Sequence, residues 1–143
     1  MMKTVYTFKT NIFQPTNEEL DETHENYINP GLFARELADF LQSGLERHGY
    51  KIGFRCVEDW GHWQELDHSG GYTLAIGCAN VDNSGDGLLE HRVFVEPHKP
   101  MIRSPRRWFR KIDVQSDVEK LLEAIGDVLR SDTRIHDVML EAS

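Results

Sequence analysis

The sequence is poor in the residues that substitute for a hydrophobic core. Two cysteines, Cys56 and Cys78, in 143 residues cannot build a disulfide scaffold, and their scarcity fits a reduced compartment, so a cytoplasmic location is expected. Five prolines and eleven glycines are too few for a collagen-like or low-complexity chain. No apolar run approaches the roughly 18–20 residues of a membrane span, and the opening MMKTVYTFKT lacks the apolar stretch of a secretory signal. Positive charge is also short: 16 Lys and Arg stand against 24 Asp and Glu, a net −8. Affinity for duplex nucleic acid comes chiefly from neutralised phosphates, so non-specific DNA binding is disfavoured. Phosphate-binding glycine loops, the GxSxG nucleophile turn, and the HExxH, HxxxH and CxxC spacings are all missing, which leaves nucleotide-fold, hydrolase and metal readings without their usual support.

What remains is an ordinary globular composition, 39% hydrophobic, 28% charged and 10% aromatic. It fits one domain over residues 1–143, long enough to bury roughly two-thirds of its unfolded surface without a metal or disulfide. The charge is unevenly placed. Residues 1–98 carry −9, residues 99–111 carry +6 with no acid, and residues 112–143 carry −5. The chain therefore reads as an acidic body interrupted by one basic segment, KPMIRSPRRWFRK.

Periodicity locates the elements. Val5, Tyr6, Thr7 and Phe8 predict a strand near Thr4–Thr10. A polar connection follows, in which Thr16 and Glu19 have capping-box spacing. Asn29 and Pro30 read as a helix start, with Leu32, Phe33, Leu37, Phe40, Leu41 and Leu45 on one face and Gly49 as the left-handed cap. From Tyr50 to Pro97 the period becomes two: Tyr50, Ile52, Phe54 and Cys56 are expected on one face, then His62–Asp67, Tyr72–Ala79 and Leu89–Glu96 follow as further strands. Both cysteines are expected to point inward. The basic segment reads as a loop running into a short strand at Trp108–Ile112. A second helix is expected from the capping box Ser116/Glu119, and an edge strand over Ile135–Glu141. The fold class is α+β: an antiparallel sheet, a meander of about four to six strands, with two amphipathic helices packed on one face.

Two segments carry chemistry. In Glu58-Asp59-Trp60-Gly61-His62-Trp63 two carboxylates, an imidazole and two indoles are compressed into one turn. Trp60 and Trp63 can anchor a partner or stack on a flat ligand, or simply pack over the sheet; His62 with Asp59 or Glu58 could form an acid/base pair. In the basic segment Arg103, Arg106, Arg107 and Arg110, with Trp108 among them, suit an anionic ligand, an acidic partner surface, or the chain's own acidic body. His62, His68 and His91 could share a face, but no metal site is assigned. The loop Asp82-Asn83-Ser84-Gly85-Asp86-Gly87 copies the opening of a calcium loop and lacks its closing glutamate, since Val93 stands at position twelve.

These features favour a small acidic cytosolic protein-binding module, of the toxin-neutralising, immunity-like or chaperone-like kind, rather than an enzyme. The expected binding residues are Trp60, His62, Trp63, Arg103, Arg106, Arg107, Trp108 and Arg110, with no cofactor, no catalytic residue and no membrane. Two alternatives are an enzyme with an acid/base site at His62, Asp59 and Glu58, and a nucleotide or RNA binder acting through residues 99–111.

Overall fold

The computed structural model describes residues 2–68, 71–81, 87–98 and 106–142, without the side chains of 106–113. Its elements run β1 (Lys3–Thr10), α1 (Asn17–Leu20), α2 (Arg35–Arg47), β2 (Ile52–Glu58), β3 (Gly61–Leu66), β4 (Thr73–Val81), β5 (Leu89–His98), α3 (Arg106–Arg130) and β6 (His136–Ala142). The six strands form one antiparallel sheet in the order β2-β3-β4-β5-β1-β6. The α+β class expected from periodicity is therefore observed, with β2 to β5 as a meander. No described helix is long and apolar enough to cross a membrane.

Register assigns side chains to faces, because directly opposed residues share one. Tyr6, Val93, Cys78, His62 and Val57 form one transverse row. Here this is the inner face: Tyr6 donates its hydroxyl to Leu122 O of α3 at 2.8 Å, and Gln64, of the same parity as His62, donates Nε2 to Ala38 O of α2 at 3.1 Å. The core lies there, between Phe8, Leu74, Ile76, Cys78, Val93 and Val95 of the sheet and Leu37, Leu41, Leu45, Val118, Leu121, Ile125 and Leu129 of the helices. Helix packing is close enough that a Cβ at Gly44 would collide with the Val128 side chain.

Three expectations are corrected. The helix expected from Pro30 begins at Arg35 instead, and its N-cap Ala34 has no side-chain cap of its own. Asn29 is diverted, its Nδ2 donating to Asp59 O at 2.7 Å. The cap comes from α1: Glu19 Oε2 accepts the amides of Ala34 and Arg35 at 2.8 and 3.1 Å. That fills the orphan donors of a helix N-terminus from a distant residue, which local spacing cannot reveal.

The second correction is at β2. Its register shifts between Ile52 and Phe54, and one extra residue in a strand turns every later side chain to the opposite face. Phe54 and Cys56 therefore point outward, while Arg55 and Val57 point inward. Cys56 is half-buried on one face and Cys78 is buried on the other; both are free thiols.

The third concerns the basic segment. Sequence pattern predicts a strand at Trp108–Ile112 and a helix start at Ser116, but α3 runs without interruption from Arg106 to Arg130. The Ser116/Glu119 pair lies in the helix interior, where a capping-box spacing has no free amides to satisfy. Pro100, Arg103 and Pro105, and most of the calcium-like loop (82–86), lie outside the described residues.

Candidate functional site

The outer face is built around a strip of small residues. On β4 the outward positions are Ala75, Gly77 and Ala79, opposite Glu96, Phe94 and Arg92 of β5. A strand so bare on one side cannot cover itself, and larger neighbours lie across it. Trp63 and Phe94 flank Gly77 in one row, and Phe94 occupies the space a Cβ at Gly77 would need.

Trp60 extends this layer from the β2–β3 turn. Its ring lies 5.2 Å from Phe94 and 6.5 Å, edge-on, from Trp63; Trp63 in turn meets His98 at 5.4 Å. These are ordinary spacings for interacting aromatic rings. Gly61, at the end of the β2–β3 turn, lies so close to β4 that a Cβ there would collide with the Cys78 carbonyl. The aromatic layer leaves Ala75 fully buried although it lies on the outer face, while Trp60, Trp63 and Phe94 remain half-buried.

Carboxylates rim the layer. Glu65 and Glu96 flank Ala75 in the neighbouring row, with Phe54 beyond Glu65. Glu65 Oε2 accepts the Trp63 indole at 2.8 Å, which holds that ring against the sheet. Glu58 accepts the Cys56 thiol at 3.4 Å, and Glu96 stands 3.5 Å from His98 Nε2. Among described residues the exposed large hydrophobic side chains are Leu20, Phe54 and Met139; the last two share this face, since Met139 pairs with Thr7 and Phe54 with Glu65. Phe54, Phe94, Glu65 and Glu96 were not singled out by sequence, whereas Glu58 was. The signal available was the Ala-x-Gly-x-Ala alternation on β4, which marks a face needing a cover.

His62 does not join the tryptophans. Alternation turns it inward, where it is 4% exposed. Its neighbouring carboxylate is Glu19, with Oε2 3.9 Å from Nε2, rather than Asp59 or Glu58. Burial is the main cause that lowers its pKa, and the Glu19 charge opposes that. His91 is fully buried on the same face, ringed by Phe8, Phe13 and Phe33 at 5.6–6.2 Å, and burial pushes its pKa down to about 4. β4 separates the strands of His62 and His91, and among described residues no three His, Cys, Asp or Glu side chains converge as metal ligands would.

Of the other residues singled out by sequence, Arg106, Arg107, Trp108 and Arg110 have their backbone in the first turns of α3. Their side chains, and Arg103 entirely, lie outside the described residues. No family model, curated protein or solved structure matches this chain.

Proposed function

We propose that this chain is a non-catalytic protein-binding module whose outer sheet face docks a basic segment of a partner protein. One observation carries the reading: Trp60, Trp63 and Phe94 form a half-buried aromatic layer rimmed by Glu58, Glu65 and Glu96. Indole faces attract guanidinium and ammonium groups, and carboxylates at the rim add direct ion pairing. Tryptophan is also the residue most enriched among binding hot spots. The net −8 of the chain supports the same partner chemistry, because an acidic body steers a basic partner toward encounter. Such a module neutralises or escorts its partner by covering the partner's basic surface.

The test uses a short synthetic peptide of alternating arginine and glycine, followed by tryptophan fluorescence. Binding is expected to be saturable, to weaken with salt, and to fall about tenfold or more in Trp60→Ala. Leu20→Ser, on exposed α1, is the control and should bind as wild type. An unchanged fluorescence spectrum at saturating peptide, or equal affinity in a folded Glu65→Gln/Glu96→Gln variant, would overturn the reading.

A further inference from the structure

A cavity of about 300 Å³ opens beside α2 and the free edge of β2, lined by Asn26, Arg35, Arg55, Cys56, Val57 and His62. It is separate from the aromatic layer, because Arg55 and His62 point to the inner face.

The hydrogen bonds around it are out of balance. The nearby carboxylates are already engaged. Glu19 Oε2 accepts from Ala34 N and Arg35 N, and its Oε1 from Thr16 N and Thr16 Oγ1, all within 3.1 Å. Glu18 Oε2 accepts Asn26 Nδ2 at 2.9 Å, and Asp39 Oδ1 accepts Arg55 Nη1 at 2.7 Å.

Donors, by contrast, are in excess. Each guanidinium carries five N–H groups. Within the described residues only Arg55 Nη1 is used, by Asp39 and by Gln42 Oε1 at 2.9 Å. Arg35 Nε and Nη1 stand 3.7 Å from Asp39 and 3.8 Å from Glu18, beyond hydrogen-bond reach. His62 Nε2 is buried with no hydrogen-bond partner. A buried polar atom left unmatched in a native fold calls for a partner; the spare guanidinium N–H groups call for acceptors, and His62 Nε2 adds a ring nitrogen that donates or accepts according to tautomer.

We infer that this cavity is a binding site for a small oxyanion, the phosphate or carboxylate group of a ligand held by Arg35 and Arg55 with His62 at its inner wall. Two guanidiniums offer the forked donors that both groups fit, and the volume lies at the lower end of the range for small-ligand sites. The site needs nothing from the outer face, so it stands or falls independently of the docking proposal.

Inorganic phosphate is the probe, titrated while the NMR signals of the His62 ring and the Arg35 and Arg55 Nε–H groups are followed. Saturable shifts of all three are expected, with a dissociation constant of about 1 mM. Arg55→Ala should weaken binding about tenfold or more, and Arg55→Lys should weaken it less, since charge remains but the fork is lost. Arg35→Gln, at a more exposed position, repeats the measurement should Arg55→Ala fail to fold. Trp60→Ala should bind phosphate as wild type, which separates this site from the peptide-docking face. Acetate binding in place of phosphate would keep the site and assign it to carboxylates. Shifts that rise linearly with either anion, or equal affinity in folded Arg55→Ala and Arg35→Gln, would overturn the inference.

Discussion

The ring of Phe94 lies across Gly77 of the neighbouring strand, in the space that any side chain at position 77 would need. This contact closes the outer side of the sheet where β4 is bare, and it sets the height of the aromatic layer.

Gly77→Ala should therefore destabilise the fold by about 1–3 kcal/mol, the usual cost of forcing an extra group into a filled site. The gain of up to about 1 kcal/mol from a stiffer unfolded chain does not offset it. In a Phe94→Ala background the same substitution should cost much less. Urea denaturation of the two single variants and the double variant measures the coupling.

Glu19 acts as the N-terminal cap of α2 from fifteen residues away, through Ala34 N and Arg35 N. Glu19→Ala removes those acceptors and the Thr16 contacts together, with an expected loss of about 2–4 kcal/mol. Asn29→Ala, at the position where sequence suggests the cap, should cost less than half as much. Thermal melts of both variants decide the ranking.

The buried imidazole of His91 makes stability depend on pH in one direction. Its folded pKa of about 4 lies below the roughly 6.5 of a free imidazole. Between those values the unfolded chain binds a proton that the native state excludes, so stability rises with pH across this window. The contribution is fully present above about pH 6.5 and is lost as pH falls toward 4, up to about 3 kcal/mol. Only burial causes this shift; the rings of Phe8, Phe13 and Phe33 around it carry no charge. The lowered pKa of His62 acts with the same sign. His91→Phe should flatten the dependence, which denaturant unfolding at pH 5 and pH 7.5 will show as a larger gain for the variant at the lower pH.

The two thiols should react differently. Burial raises the pKa of Cys78 to about 12, while burial and then Glu58 raise that of the half-buried Cys56. Since the thiolate is the nucleophile, both are slowed, but only Cys78 is also fully shielded. Ellman's reagent should titrate one thiol in the native protein, slowly, and two in urea. Non-reducing mass measurement should find no intramolecular disulfide, because the two lie on opposite sheet faces.

Much of the fold was legible in local pattern. The alternation of Leu74, Ile76 and Cys78, the stripe Val118–Leu129 and the left-handed cap at Gly49 (φ 88°) each depend on neighbours within a turn or a strand. Where structure and pattern differ, the cause lies beyond the local window. Asn29 and Pro30 cannot show that the cap of α2 is Glu19, and alternation cannot show that a bulge at Gly53 reverses the parity of β2. The aromatic and β-branched residues of Trp108–Ile112 favour a strand, while the structure continues a helix through them.

The sequence by itself determined an acidic α+β chain with an antiparallel meander, since periods of two and 3.6 are properties of single elements. It also marked Trp60, His62 and Trp63 as worth attention. Alternation along β3 separates His62 from Trp63, but tertiary structure alone decided which of the two faces the helices and that Trp60 joins Trp63. It alone brought Phe94, Glu65 and Glu96 to the first group, and Glu19, Arg35 and Arg55 to the second. Those groupings follow from strand register and from a carboxylate reaching a distant helix end, and both are set by which elements pack together rather than by the residues beside them in the chain.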